Sequence, residues 1–350
     1  MTNRFSNSQT TADRPMGANL AGARVLVTGG AGFIGSHACK AIAAAGGLPV
    51  AFDNLTTGNA DTVLWGPLVR GDVRDRAALS SALAQFRADT IMHFAASAYV
   101  GESVTAPDVY YDNNVGGMIA LLDAARASGV KKIVFSSSCA TYGIPQSLPI
   151  VEDTLQAPIN PYGRTKLICE QMLRDYGAAF GLRHVALRYF NAAGADPEGQ
   201  LGERHDPETH LIPLALRAAV TGVPLQVFGQ DYDTPDGTCI RDYIHVADLA
   251  RAHVLALGHL QSGGPDLALN LGSGRGLSVL EIVAAIARVT GRTVPVNFAP
   301  RRAGDPPVLT ADPSWAAQVL GFRTELSDID QIVRTAAPWF GLNARPARVA

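Results

Sequence analysis

Cysteine is scarce in this chain: Cys39, Cys139, Cys169 and Cys239 are all there is in 350 residues. They lie far apart and show no C-x-x-C spacing, so neither a disulfide framework nor a cysteine zinc site is expected, and a reducing cytoplasm is the default. No metal ion is expected. Net charge is nearly missing as well: 29 Lys and Arg against 31 Asp and Glu leave −2. That balance removes the electrostatic motive for a nucleic-acid or membrane-surface partner. No apolar run approaches the roughly 18 residues a transmembrane helix needs. The first twenty residues, MTNRFSNSQTTADRPMGANL, lack the apolar centre of a signal peptide. Residues 1–21 are expected to be a disordered polar tail, with Met16 an alternative translation start.

What the chain does have is alternation. Hydrophobic residues make up 47% and charged residues 17%, enough for one large core or two joined ones. RVLVTGG (24–30) reads as a strand, GSHACKAIAAAGG (35–47) as a helix closed by glycine, and LPVAFDN (48–54) as the next strand. RAALSSALAQF (76–86) is helical, DTIMHFAA (89–96) a strand, VGGMIALLDAARASGV (115–130) a helix and KKIVFSSS (131–138) a strand. Almost wholly apolar strands separated by helices predict an α/β fold, with a doubly wound parallel sheet covered on both faces. From about Tyr189 the pattern loosens into Pro, Gly and charged loops, so a second, smaller α/β region is expected to pack on the first.

The first strand runs into Gly29-Gly30-Ala31-Gly32-Phe33-Ile34-Gly35, a G-x-G-x-x-G in strand–turn–helix context. Glycine there permits a tight turn and lets a pyrophosphate approach the amides at the helix start. Alone the motif could be a bare turn. Asp53, at the end of the second strand, adds a carboxylate placed to accept an adenosine ribose 2′-OH and to repel a 2′-phosphate. The expected cofactor is therefore NAD rather than NADP, the alternative being that Asp53 is a simple turn residue.

A second constellation follows in NPYGRTKLICEQML. Pro161 suits the first turn of a helix, which puts Tyr162 and Lys166 on one helical face. A surface Tyr–Lys pair usually means nothing; next to a dinucleotide site and the serine run Ser136-Ser137-Ser138 it suggests chemistry. An ordinary tyrosine titrates near 10, so poising it near 7 takes roughly 3 units, or about 4 kcal/mol. One positive charge at about 4 Å in an effective dielectric near 20 supplies that amount. Tyr162 is thus expected to be a general base toward a substrate hydroxyl, with Lys166 as the charge that lowers it.

The glycine motif, Asp53, Ser138 and Tyr162-x-x-x-Lys166 resemble the extended short-chain dehydrogenase/reductase family. HFAASAYVGES, YYDNNV, SSSCATYGIP, NPYGRTK, LRYFNAAGADPEG, FGQDYDTPDGTCIRDYIHVADLA and RRAGD are similar to its UDP-glucose 4-epimerase branch, from about Arg24 to about Phe340. The resemblance implies a Rossmann-type NAD domain at 22–190 and a mainly UDP-sugar-binding region at 191–345, with about 238–258 returning to the NAD domain. It implies interconversion of UDP-glucose and UDP-galactose by transient oxidation at C4; a UDP-xylose/UDP-arabinose 4-epimerase, a dual enzyme, and a non-catalytic NAD-binding protein are the alternatives. It also implies a homodimer built through two helices of each copy.

Residue by residue, the resemblance makes Ser138, Tyr162 and Lys166 catalytic, with Ser136 and Ser137 satisfying backbone and cofactor groups. Asn54, Leu55, Gly58, Asp72, Val73, Phe94, Ala95, Ala96, Asn113 and Phe190 fall on the cofactor side with the glycine turn and Asp53. Tyr189, Asn191, His210, Leu211, Leu225, Phe228 and Tyr243 fall on the substrate side. Arg241 and Arg302 are assigned to the diphosphate, and Asp305 to a ribose or uracil group. Related dehydratases carry Asp and Glu after the serine pair, where this chain has Cys139, Ala140 and Thr141, so elimination of water is not expected. Three positions depart from the pattern. Ala98 replaces a lysine, His210 an asparagine, and Leu309 a tyrosine that walls the sugar pocket in some relatives, which leaves more room beside the sugar.

Overall fold

The computed structural model describes residues 18–302 and 305–344. Residues 1–17, which hold most of the expected tail and Met16, lie outside the described residues. The chain begins with β1 (Arg24–Thr28), β2 (Leu48–Asp53), β3 (Leu68–Arg70), β4 (Thr90–His93), β5 (Lys132–Ser136) and β6 (Arg183–Tyr189). It then makes β7 (Asn191–Ala193), β8 (Leu225–Phe228) and β9 (Ile240–His245) before β10 (Leu267–Leu271). Seven of these form one sheet, in the order β10-β6-β5-β4-β1-β2-β3, and every pairing in it is parallel.

Why the strands read as continuous apolar runs is visible in their packing. Side chains alternate across a strand, and here both faces are covered. Val25, Val27, Ala51, Val134, Val185 and Leu187 enter one core, beneath helices 33–44 and 246–261. Leu26, Val50, Phe52, Ile133, Phe135 and Ala186 enter the other, beneath helices 76–86, 117–127 and 161–180. The expected doubly wound α/β sheet is the one found.

Local signals set the helix ends. Asp75 accepts the amides of Ala77 and Ala78 at 2.9 and 3.0 Å and starts helix Arg76–Phe86. Asn160 accepts Gly163 N at 2.8 Å, Pro161 takes the first position, and Gly181 at φ +69° closes helix Pro161–Phe180.

The second region follows at once. Only Phe190 separates β6 of the large sheet from β7, which pairs with β9. β9 also pairs with β11 (Gly276–Ser278) and β13 (Val308–Leu309), while β8 pairs with β12 (Val296–Ala299). Ile212, Leu216, Val227, Ile282, Ile286 and Ile332 form its core. The segment 238–258 is divided: β9 lies in the second sheet, and only from Val246 does the chain pack against the first, continuing to β10 at Leu271. The segment after β1 meets the second region through Phe33 and His205, and that after β5 through the cluster Cys139 shares with Leu309, beside the point where chain order reverses between β1 and β4. Ligands of open α/β sheets bind at such a point.

Candidate active site

The glycine turn is shaped for close approach. A Cβ on Gly35 would lie 2.1 Å from Gly29 O, and one on Gly30 would lie 2.7 Å from Ala51 Cβ; Gly29 has φ +71°. Helix Phe33–Ala44 starts at Gly32 with no side-chain cap and no acidic residue in its first turn, which leaves its amides free for an anion. Phe94 and Ala95 both donate their amides to Thr28 O, at 2.9 and 3.1 Å, and back the turn, a Cβ on Gly29 coming within 2.7 Å of Ala95 N. Asp53 is buried and accepts Ala31 N at 3.0 Å and Leu55 N at 2.8 Å. The second bond holds Leu55 at φ +62°, a left-handed conformation costing a non-glycine residue roughly 1–2 kcal/mol. Gly58 leaves the other side of the carboxylate open, since a Cβ there would lie 2.8 Å from Asp53 Oδ1. Farther along, Asn54 donates to Asp72 at 3.3 Å, and Arg74 holds the Asp72 carboxyl well below its ordinary range. Val73 packs where a Cβ on Gly117 would come within 2.9 Å. An uncapped helix start, a glycine cradle and a buried carboxylate at the end of β2 fit a dinucleotide.

Ser138, Tyr162 and Lys166 come together at the carboxyl end of β5. Ser138 caps the short helix Cys139–Thr141, its Oγ accepting Ala140 N at 3.2 Å. Lys166 is buried, donates from Nζ to the Ser136 carbonyl at 2.7 Å, and sits 5.8 Å from the Tyr162 ring centroid. Burial pushes Lys166 down to about 8, against the neighbouring Cys169 and Glu170, which act to raise it.

Burial opposes the charge by which Lys166 is expected to poise Tyr162 near neutrality. Burial pushes the Tyr162 hydroxyl far above its ordinary value, Tyr189 adds to this, and a hydrogen bond with Ser138 only partly opposes it. Desolvation is the largest of these effects.

The other two serines also differ from expectation. Ser136 Oγ bonds the Tyr189 hydroxyl at 2.6 Å, and Ser137 Oγ donates to Glu170 at 2.5 Å. Glu170 in turn accepts from Arg188 Nε and Nη2 at 2.9 and 2.7 Å. Arg188 also donates to the Tyr142 hydroxyl, which donates to Asn270 of β10 at 2.7 Å. A buried chain of side-chain bonds therefore runs from the residue beside Ser138 to the far edge strand. Neither Glu170 nor Arg188 was singled out in the sequence; Glu170 stands one helical turn after Lys166, and that spacing was the available signal. Next to this site, residues 111–116 form a π-helix containing Asn113, a feature frequent at functional sites. Its buried neighbour Asn114 accepts Ser97 N at 2.8 Å and donates to Thr165 at 3.0 Å.

On the second region's side, Arg241 forms an ion pair with Asp305 and donates to Ile240 O at 2.7 Å. The Arg302 guanidinium lies 4.0 Å over the Phe228 ring. Asn191 Nδ2 donates to Asp242 O at 2.8 Å, and His210 precedes helix Leu211–Thr221 as its N-cap residue. Half-buried Leu309, like Cys139, packs against the buried cluster of Tyr142, Ile150, Phe190 and Ala311. Leu225 and Tyr243 are instead members of the second region's buried core, and Phe190 is buried with Tyr142 and Ile150. For these three, packing is what the contacts account for.

A family model described as the NAD dependent epimerase/dehydratase family matches residues 25–272. A curated protein of Rhizobium meliloti (strain 1021) named UDP-glucose 4-epimerase is 54% identical over 316 residues, 90% of this chain and 96% of its own. The crystal structure of UDP-glucose 4-epimerase from Brucella ovis in complex with NAD is similar at TM-score 0.91 and 61% identity, covering 92% of this chain and 100% of its own. A UDP-glucose-4-epimerase from Stenotrophomonas maltophila, solved with bound NAD and formylated UDP-arabinopyranose, is similar at TM-score 0.88 and 41% identity, over 91% of this chain and 98% of its own.

Proposed function

The chain belongs to the NAD dependent epimerase/dehydratase family, and from that premise we propose that Tyr162, Ser138 and Lys166 carry the proton transfers of a UDP-sugar 4-epimerisation. The reaction interconverts UDP-glucose and UDP-galactose through a 4-keto sugar, so the protein is an isomerase with NAD as its cofactor. NAD, held by the glycine turn and Asp53, would supply the acceptor for the C4 hydride and then its donor. Tyr162 takes the proton of the C4 hydroxyl and gives it back after the sugar has turned its other face to the site. Ser138 bonds the same oxygen and keeps the phenol aligned. Lys166, fixed on the Ser136 carbonyl, contributes charge without moving. Arg241, released from Asp305, and Arg302 hold the diphosphate while the sugar turns.

The observation that carries this reading is the turn after Ser138. Elimination of water would need an acid and a base there. Burial instead pushes the Cys139 thiol up to about 12, and Ala140 and Thr141 offer no alternative. Hydride removal and return at C4 is what remains. Four free cysteines suit a cytoplasmic protein. A homodimer is proposed over the helical segments 100–127, where Val104, Val109, Tyr111 and Ile119 expose apolar surface.

The test is incubation of the purified protein with UDP-galactose and UDP-xylose in separate reactions, with no NAD added. UDP-glucose should appear from UDP-galactose, and the denatured protein should release nicotinamide nucleotide, because the cycle has no net redox change. Turnover of UDP-xylose alone would assign the pentose reaction, and no turnover with any UDP-sugar would make the protein a non-catalytic NAD binder.

A further inference from the structure

The loop that enters helix Leu211–Thr221 carries Glu203-x-His205-x-x-Glu208-x-His210. One ligand atom from each of these four side chains lies within 4.8 Å of those of the other three. His205 Nδ1 is 3.1 Å from Glu203 Oε1 and 3.8 Å from Glu208 Oε1, and His210 Nδ1 is 3.7 Å from Glu208 Oε1 and in direct contact with Glu203. The ligand atoms of a tetrahedral zinc, about 2.0–2.2 Å from the metal, lie about 3.3–3.6 Å apart. Three of the six separations therefore stand close to the edges of such a polyhedron, and the His210–Glu203 contact is shorter than one.

A second observation is independent of spacing. The Glu208 side chain is 0% exposed, and its Oε2 has no hydrogen-bond partner among the described residues, while Oε1 accepts the amides of Thr209 and His210 at 2.8 and 2.9 Å. His205 Nδ1 is likewise buried without a well-aligned partner. A buried polar atom left unpaired calls for an occupant. The adjacent cation does not fill that role, because Arg204 turns away to Asp61 with bonds of 3.0 and 2.6 Å. The rings of Phe33 and Tyr99 stand edge-on to His205, each 6.2 Å away, and fix the plane of its imidazole. The His210 side chain is half exposed, which leaves a route in from solvent.

The geometry points to a divalent-cation site formed by Glu203, His205, Glu208 and His210, selective for borderline first-row ions such as Zn²⁺. Two imidazoles favour Zn²⁺ or Co²⁺ over Mg²⁺ and Ca²⁺, and two carboxylates neutralise the ion. The absence of paired cysteines, which argued against zinc in the sequence, does not touch a site built from His and Glu. A cation there would tie the loop to the first turn of helix Leu211–Thr221 and to the rings that flank the glycine turn.

The experiment uses the full chain without a histidine tag, stripped with a chelator and dialysed. Equilibrium dialysis with metal analysis should find one Zn²⁺ per chain in preference to Mg²⁺, and Co²⁺ should give visible d–d absorption. Glu208→Gln and His205→Gln should each weaken Zn²⁺ binding at least tenfold, the lower end of what even outer-shell changes cost. A wild-type chain that takes up neither Zn²⁺ nor Co²⁺, or variants that bind as well as it does, would show that the four side chains only pair with one another and would overturn the site. If either variant fails to fold, the wild-type stoichiometry and the Co²⁺ spectrum decide alone.

Discussion

Lys166 Nζ donates to the main-chain carbonyl of Ser136 at 2.7 Å, so the ammonium is anchored to the strand end that also presents Ser138. Its position beside Tyr162 is fixed, and its charge is present below about pH 8. Replacing it by Lys166→Met removes that charge, and the phenol must then ionise against burial with less help. The pH at which activity appears should rise. A profile of kcat against pH identical to that of the wild type would end the electrostatic account.

Tyr162→Phe keeps the ring that fills this buried position and deletes the group that moves the proton. UDP-sugar binding should survive while the rate falls by about 10²–10⁴. Titration calorimetry and steady-state rates on one preparation check both halves.

Glu170 lies between Ser137 and Arg188 with almost no exposure. Burial acts to raise its carboxyl, yet the hydrogen bonds and charge of Arg188 prevail and hold it below the usual carboxylate value. Glu170→Ala leaves Arg188 buried without its counter-charge, which should cost about 3–5 kcal/mol in urea denaturation. The sign with pH follows from the depressed value. The carboxylate stabilises the fold above its unfolded pKa, and the contribution disappears as pH drops through the lower, folded value. The variant should therefore show a flatter acid limb in stability than the wild type.

Gly35→Ala puts a methyl group 2.1 Å from Gly29 O, against backbone that has no rotamer to yield. Overpacking of this kind costs about 1–3 kcal/mol. The protein should melt lower and retain less nicotinamide nucleotide through purification. Full retention would mean that the turn can widen without loss of the cradle.

Leu309 packs against the same buried cluster as Cys139 and has no hydroxyl to offer a sugar. A larger sugar substituent at C2 should therefore be able to turn. UDP-N-acetylglucosamine should be epimerised, more slowly than UDP-glucose, and Leu309→Tyr should suppress that reaction while sparing the plain hexose. If the wild type ignores the N-acetyl sugar and the variant keeps every substrate ratio, Leu309 is packing alone.

The parallel sheet was legible because its strands are buried on both faces and so carry little besides apolar residues. Helix Arg76–Phe86 was legible to the residue, since Asp75 caps it and its composition favours a helix. β3 was not. Three residues, Leu68–Arg70, half exposed at a sheet edge, leave no periodicity to read. The return to the first sheet was anticipated at 238–258, but strand pairing is set by partners far away in sequence, and β9 joins β7, β11 and β13 instead. At the site, residue types and spacings pointed to Ser138, Tyr162 and Lys166. What escaped the sequence was desolvation at Tyr162 and the buried bonds of Ser137, both properties of depth and not of order along the chain.

β10 joins the large sheet only after the chain has passed through β7, β8 and β9 of the other region. A growing polypeptide therefore carries an unfinished β6 until Leu271 has been made. Until then the main-chain groups of Arg183–Tyr189 have a neighbour on one side only, and an unpaired strand edge recruits other strands. No single cut yields two self-sufficient pieces. A fragment of residues 18–190 should self-associate where the full chain does not gain such contacts, and adding residues through Leu271 should reverse this, which gel filtration of the two fragments would reveal.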